Sequence, residues 1–163
     1  ECLTNVNLHF GMSSNPSSFP DQAATLGALL RSPYRKLAQR LYAEMASSGF
    51  LEIRQSHSVV FRHIAPEGSR LTDLAEIAGL TKQSMAYLIG HLEKHGYVKI
   101  ITDPADGRAK LVQLTKRGNS FVESLLKASS QLEDEVGKKM GNAKLQGLRK
   151  GLAALDSAIS GLS

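Results

Sequence analysis

Tryptophan is absent from this chain and cysteine occurs once, at Cys2. A single thiol closes no internal disulfide, which excludes a stapled secreted scaffold and favours a reducing compartment, the cytoplasm. Aromatic residues make up only 6% of the 163 positions. No run of about 18 consecutive apolar residues occurs, so no membrane-spanning helix is expected. Phosphate-binding glycine loops, GxSxG elbows and HExxH helices are missing as well. The chain is therefore not expected to be an enzyme, nor to carry a cofactor or a metal. His91 and His95 stand four apart, a spacing that can grip a metal, but no paired cysteine or acid pattern supports one. A histidine near a helix C-terminus is stabilising in its own right.

What is present describes a folded, mildly basic protein. Hydrophobic residues make up 42% and charged residues 21%, with a net charge of +5. The surplus is concentrated: residues 70–118 hold eight Lys/Arg against five Asp/Glu, while 1–69 and 119–163 each hold six against five. A basic balance favours an anionic partner only weakly by itself. Its position matters more, because the same stretch holds the clearest local motif.

Residues 1–20 read as a Ser/Pro/Asn-rich tail that contains Cys2. Residues 21–48 read as helical, with Asp21 as cap and Leu26, Leu30, Tyr34, Leu37, Leu41 and Met45 along one face. Pro33 either kinks this helix or starts a second one. A further helix is expected over about 53–64, broken by Pro66-Glu67-Gly68. Thr72 is expected to cap a short helix bearing Leu74 and Ile77. After the turn at Gly79-Leu80, Thr81 caps another that runs to about His95, with Gly96 as its stop. Two helices joined by a short Gly-containing turn form a helix-turn-helix. From Tyr97 the period changes to two: 97–102 and 109–114 read as strands flanking the turn-rich 103–108, a hairpin with a projecting tip. Helices over 116–139, with Val122, Leu125, Leu126, Leu132 and Val136 on one face, and over 142–162 should follow. In the last, Leu145, Leu148, Leu152, Leu155, Ile159 and Leu162 form a seam spaced three and four apart. Such a stripe wants another helix, either from its own chain or from a second copy.

The helix after Thr81 buries Met85, Leu88, Ile89 and Leu92 and presents Gln83, Ala86, Tyr87, Gly90 and Lys94 on its other side. That face is nearly free of acids and suits a major groove, where Gln pairs with adenine. Thr81, Lys82 and Ser84 at its start offer hydroxyls and a cation to phosphate. On the hairpin, Arg108 and Lys110 can reach a minor groove, and Asp106 is placed to hold the Arg108 guanidinium. The bland alternatives are a solvated helix face and an ordinary Asp-Gly turn.

In order along the chain stand Leu71-Thr72-x-Leu74-Ala75, Gly79-Leu80-Thr81-Lys82-Gln83-Ser84 and Leu92-Glu93-Lys94-His95-Gly96-Tyr97-Val98. Asp103-Pro104-Ala105-Asp106-Gly107-Arg108 and Leu114-Thr115-Lys116-Arg117-Gly118 follow. Together they resemble the MarR family of bacterial and archaeal transcription regulators, over about residues 21–162. The resemblance implies a mainly α (α+β) fold in which a winged helix-turn-helix over 53–115 is carried by a dimerisation domain of residues 21–52 and 116–163. It implies a homodimeric repressor on a pseudo-palindromic double-stranded operator. It also implies a small apolar or phenolic ligand, with Tyr42, Arg54, His57 and Phe61 as the candidate lining. Two departures stand out. Gly107 occupies a position where relatives often carry a second arginine. The only cysteine lies in the tail, and 53–64 has no tyrosine, which speaks against the oxidant-sensing branch. The remaining alternative is a winged-helix module that docks a protein or RNA.

Overall fold

The structure is a computed structural model that describes residues 25–161. Six helices and a small antiparallel sheet follow one another as α1 Leu26–Ser47, a 3-10 turn Gln55–His57, α2 Ser58–His63, β1 Ser69–Arg70, α3 Leu71–Ile77, α4 Lys82–Lys94, β2 Val98–Thr102, β3 Lys110–Leu114, α5 Lys116–Met140 and α6 Asn142–Ser160. The expected tail, Cys2, Asp21 and Leu162 lie outside the described residues.

Pro33 sits inside α1, which runs on as one helix rather than two. By its contacts the chain divides into a unit ending at Tyr34 and a unit beginning at Arg35. In the first unit Leu26, Leu29, Leu30 and Tyr34 are exposed. In the second, Met45 is buried in a core with Ile53, Val60, Leu74, Met85, Ile89, Leu92, Tyr97, Val112 and Phe121. An aromatic knot lies within it: Phe121 meets Phe50 edge-on at 5.3 Å and Phe61 at 4.6 Å between ring centroids. Ring pairs at these separations add to what their burial contributes.

The sheet has the order β1-β3-β2, with Val98 opposite Leu114 and Thr102 opposite Lys110. The sequence points to the β2–β3 hairpin but not to β1, whose two residues pair with Leu111 and Val112. Two residues are too few for a period to show. That pairing also displaces the expected cap of α3. The chain passes from strand into helix, Arg70 rather than Thr72 is the N-cap, and no side chain closes it. The helix expected over 53–64 divides into the 3-10 turn and α2. On α5 the buried side is Phe121, Ala128 and Leu132, and Leu126, expected to share it, is exposed.

The Leu114-Thr115-Lys116-Arg117-Gly118 run makes the turn into α5. Thr115 caps the helix by accepting the Gly118 N–H at 3.1 Å, and its hydroxyl donates to the Gly96 carbonyl at 2.6 Å. A Cβ at Gly118 would collide with the Tyr97 carbonyl oxygen, so only glycine lets α5 start this close to the sheet.

Candidate nucleic-acid interface

Helix α4 follows its sequence closely. Thr81 is the N-cap, accepting the Ser84 N–H at 3.1 Å, and Met85, Ile89 and Leu92 are buried. Lys82, Gln83, Ser84, Ala86, Tyr87, Gly90 and Lys94 are all exposed, Tyr87 to 76%. At 100° per residue, Gln83, Tyr87, Gly90 and Lys94 fall within one narrow stripe with Ala86 beside it. No acid interrupts that stripe. A Cβ at Gly90 would meet nothing within 4 Å, so the stripe is open at its centre. The Thr81 and Ser84 hydroxyls bond each other at 2.9 Å, which gives them a part in the cap as well as a place at the helix start.

The hairpin tip is built differently from expectation. Asp106 does not grip the Arg108 guanidinium. Its Oδ1 accepts the backbone N–H of Arg108 at 3.2 Å, and its Oδ2 lies 3.4 Å from Arg70 Nη2. Arg70 also donates twice to Asp103 Oδ2, from Nη2 at 2.8 Å and Nε at 3.2 Å. The reason is geometric: a carboxylate two residues from Arg108 meets the intervening backbone first, as Asx turns do. The Arg108 guanidinium consequently has no partner among the described residues. Hydrogen bonding from Arg70 holds the Asp103 carboxyl below its ordinary range, with the Ala105 N–H helping. Lys110 donates to Thr102 Oγ1 across the hairpin at 2.9 Å, which keeps its charge on the wing stem. Sequence reasoning missed Arg70, because its partners lie 33 and 36 residues away and no local pattern announces them.

Of the four residues named as ligand lining, Arg54 is exposed, Tyr42 and Phe61 are half-buried against the core, and His57 is buried. His57 Nδ1 accepts the Arg54 N–H at 3.0 Å, and its ring stacks on that of His91. Phe61 belongs to the aromatic knot. Next to them Glu52 gathers several elements. Tyr97 Oη donates to its carboxylate at 2.9 Å, Arg117 Nη2 does so at 3.2 Å, and His91 Nε2 donates to its carbonyl at 2.9 Å. The Arg117 guanidinium also lies over the Tyr97 ring. His91 and His95 are thus tied into this cluster.

Among the described residues, the expected seam on α6 is only partly covered. Leu145 and Leu155 are half-buried, while Leu148, Leu152 and Ile159 are exposed by 48%, 40% and 58%. The ion pair between Arg149 and Glu133 links α6 to α5.

The comparisons with known proteins agree with this architecture. Transcriptional activatory protein BadR of Rhodopseudomonas palustris is 31% identical over 81 residues, half of this chain. The chain spans 45% of that relative's length. Among solved structures, a crystal structure of MarR aligns with TM-score 0.69 at 20% identity, covering 89% of this chain and 97% of that one. The transcriptional repressor CouR bound to a 23-mer DNA duplex aligns at 0.65 and 18%, covering 86% and 99%. The PcaV regulator of Streptomyces coelicolor with its natural ligand aligns at 0.61 and 20%, covering 87% and 99%. Residues 52–109, from the Glu52 hub through α4 to the wing, match the model of the MarR family.

Proposed function

We propose that this protein is a cytoplasmic, homodimeric transcription regulator that binds a pseudo-palindromic double-stranded DNA operator sequence-specifically and is released from it by a small apolar or phenolic ligand. The observation that carries the reading is the acid-free, open stripe of α4 together with a wing whose Arg108 is exposed and whose guanidinium meets no partner among the described residues. A helix enters a major groove with its first turns on base edges, and an arginine on a wing enters the narrower groove by shape. In this reading residues 53–115 form the DNA-binding domain, and residues 21–52 with 116–163 the dimerisation domain. The exposed α6 residues Leu148, Leu152 and Ile159 support a second copy as their cover, with Leu145, Leu155 and Leu162 completing the seam. That a ligand binds is supported by the likeness to PcaV, solved with its natural ligand, and its apolar or phenolic class by the family resemblance, since Tyr42, His57 and Phe61 are engaged in packing. Repression by occupancy is the first reading of the output; activation is the second, favoured by the name of the BadR relative.

The test selects duplexes from random sequence with the purified protein and titrates the winner at several salt concentrations. Affinity should fall steeply with salt, in proportion to the phosphates neutralised. Gln83→Ala should relax preference at one position per half-site, losing ~1–3 kcal/mol on the preferred base. Arg108→Ala should weaken every duplex and reduce the salt slope by about one unit per wing. Selection of no motif, together with salt-independent binding, would point instead to a module that docks protein or RNA. Fusing the selected site to a promoter in a reporter then distinguishes repression from activation.

A further inference from the structure

We propose that Arg70 is the positioning residue of the wing: from the root of the helix-turn-helix it holds Asp103 and Asp106, and thereby sets where Arg108 stands against DNA. The inference rests on the DNA-binding reading and adds a residue to it that touches neither groove.

Each of the two wing acids works in two directions. Asp103 Oδ1 accepts the Ala105 N–H at 2.8 Å while its Oδ2 takes both bonds from Arg70. Asp106 Oδ1 accepts the Arg108 N–H at 3.2 Å while its Oδ2 faces Arg70 Nη2. Both carboxylates thus bridge a loop amide to one guanidinium. Three backbone bonds close the rest of the tip: Asp103 N–H to Ala109 at 3.0 Å, Asp106 N–H to Asp103 at 3.2 Å and Ala109 N–H to Asp106 at 2.8 Å. At the other end, Arg70 is pinned twice, as a β1 residue paired with Leu111 and as the N-cap of α3. The wing tip is therefore referenced to the helix-turn-helix through one side chain.

Asp103 is only 8% exposed, so removing its partner leaves a carboxylate with little water to compensate it. Lysine is a poor substitute, because a single ammonium lacks the two nitrogens that converge on Asp103 while one of them reaches Asp106.

A direct phosphate contact by Arg70 would be the ordinary explanation of any loss on mutating it. Asp103→Asn separates the two by sign. The variant removes a negative charge near DNA, so plain electrostatics predicts equal or tighter binding. Positioning predicts weaker binding, because the neutral amide holds Arg70 less strongly and the tip loosens.

The experiment compares wild type, Arg70→Lys, Asp103→Asn, Arg108→Ala and the double variant Arg70→Lys/Arg108→Ala on the selected duplex. Anisotropy titration, hydroxyl-radical footprinting and circular dichroism are read for each. The expected result is an affinity loss of about tenfold for Arg70→Lys and for Asp103→Asn, the worth of one charge-assisted bond. Minor-groove protection on the flanks should be lost while base preference at the Gln83 position is kept. The double variant should bind no more weakly than Arg108→Ala. Equal or tighter binding by Asp103→Asn with the flanks protected overturns the proposal, as do strictly additive losses. Should Asp103→Asn be unfolded, Asp106→Asn, at an exposed site, replaces it with the same expected directions. Amide hydrogen exchange gives a readout without DNA. Arg70→Lys should quicken exchange at Ala105, Arg108 and Ala109 and leave α4 unchanged, and unchanged loop exchange also overturns the proposal. A wild type that selects no duplex removes the DNA reading, while the exchange result still decides whether Arg70 holds the loop.

Discussion

The imidazole rings of His57 and His91 lie stacked, 4.5 Å between centroids and 12° from parallel. His57 is 4% exposed and uses Nδ1 to accept the Arg54 N–H, so the folded chain needs it neutral. Burial first, then the charges of His91, Arg54 and His95, lower its pKa from 6.5 to about 4. Between those values the unfolded chain binds the proton that the folded chain refuses. The stabilisation is therefore complete above about pH 6.5, falls as pH drops towards 4, and changes no further below that. Between pH 7 and pH 5 the loss should be about 2 kcal/mol. Urea unfolding of wild type and His57→Phe at both pH values isolates it, because the phenyl ring keeps the stacking and removes the proton. Equal pH slopes for the two proteins would remove His57 as the source.

Gly118→Ala should destabilise by about 3 kcal/mol, the upper end of what overpacking costs, because the obstacle here is backbone and has to shift. Its Cβ would drive into the Tyr97 carbonyl, which also accepts the Thr115 N–H at 3.0 Å. Relief requires the start of α5 to draw back from Tyr97, and with it Arg117 from Glu52. Thermal unfolding measures the loss. A change under about 1 kcal/mol would show that the α5 start shifts freely.

What the sequence made legible was local. Thr81, the stripe Met85, Ile89 and Leu92, the stop at Gly96 and the β2–β3 hairpin each follow from residues within a turn or two of one another. What it hid was long-range. The Arg70 grip on Asp103 spans 33 residues, and the Glu52 bond to Tyr97 spans 45. Charges of both signs are common along the chain, so no spacing singles out such pairs. The Asp106 role failed for the opposite reason: the residue was rightly noticed, but its nearest donor is the Arg108 backbone rather than the Arg108 guanidinium. Pro33 likewise had two readings in sequence, and the structure takes the continuous helix.

Replacing Leu152 and Ile159 together with lysine should separate the protomers without unfolding them. Both side chains are exposed within the single chain, so their loss opens no cavity in it. Sedimentation at micromolar concentration should change from dimer to monomer with the helical circular dichroism kept. Operator affinity should collapse at the same time, because half-sites one turn apart, ~34 Å, must be engaged together. A persistent dimer would assign the α6 seam to some other role.

Gly107 offers a gain rather than a loss. It sits at the wing tip beside Arg108, its Cβ position meets nothing within 4 Å, and it is not among the glycines of positive φ. An L side chain therefore fits without strain. Gly107→Arg should add a second cation to the wing tip, next to Arg108. Operator binding should tighten by roughly threefold to tenfold near 0.1 M salt, with the salt slope steeper by about one unit per wing. Gly107→Glu should move both quantities the other way, while the base preference set by Gln83 stays as it is in each variant. Titration across a salt series measures all of this on one duplex. Identical slopes for the arginine and glutamate variants would show that the tip does not approach phosphate, and the contact would then have to be made by α4 alone.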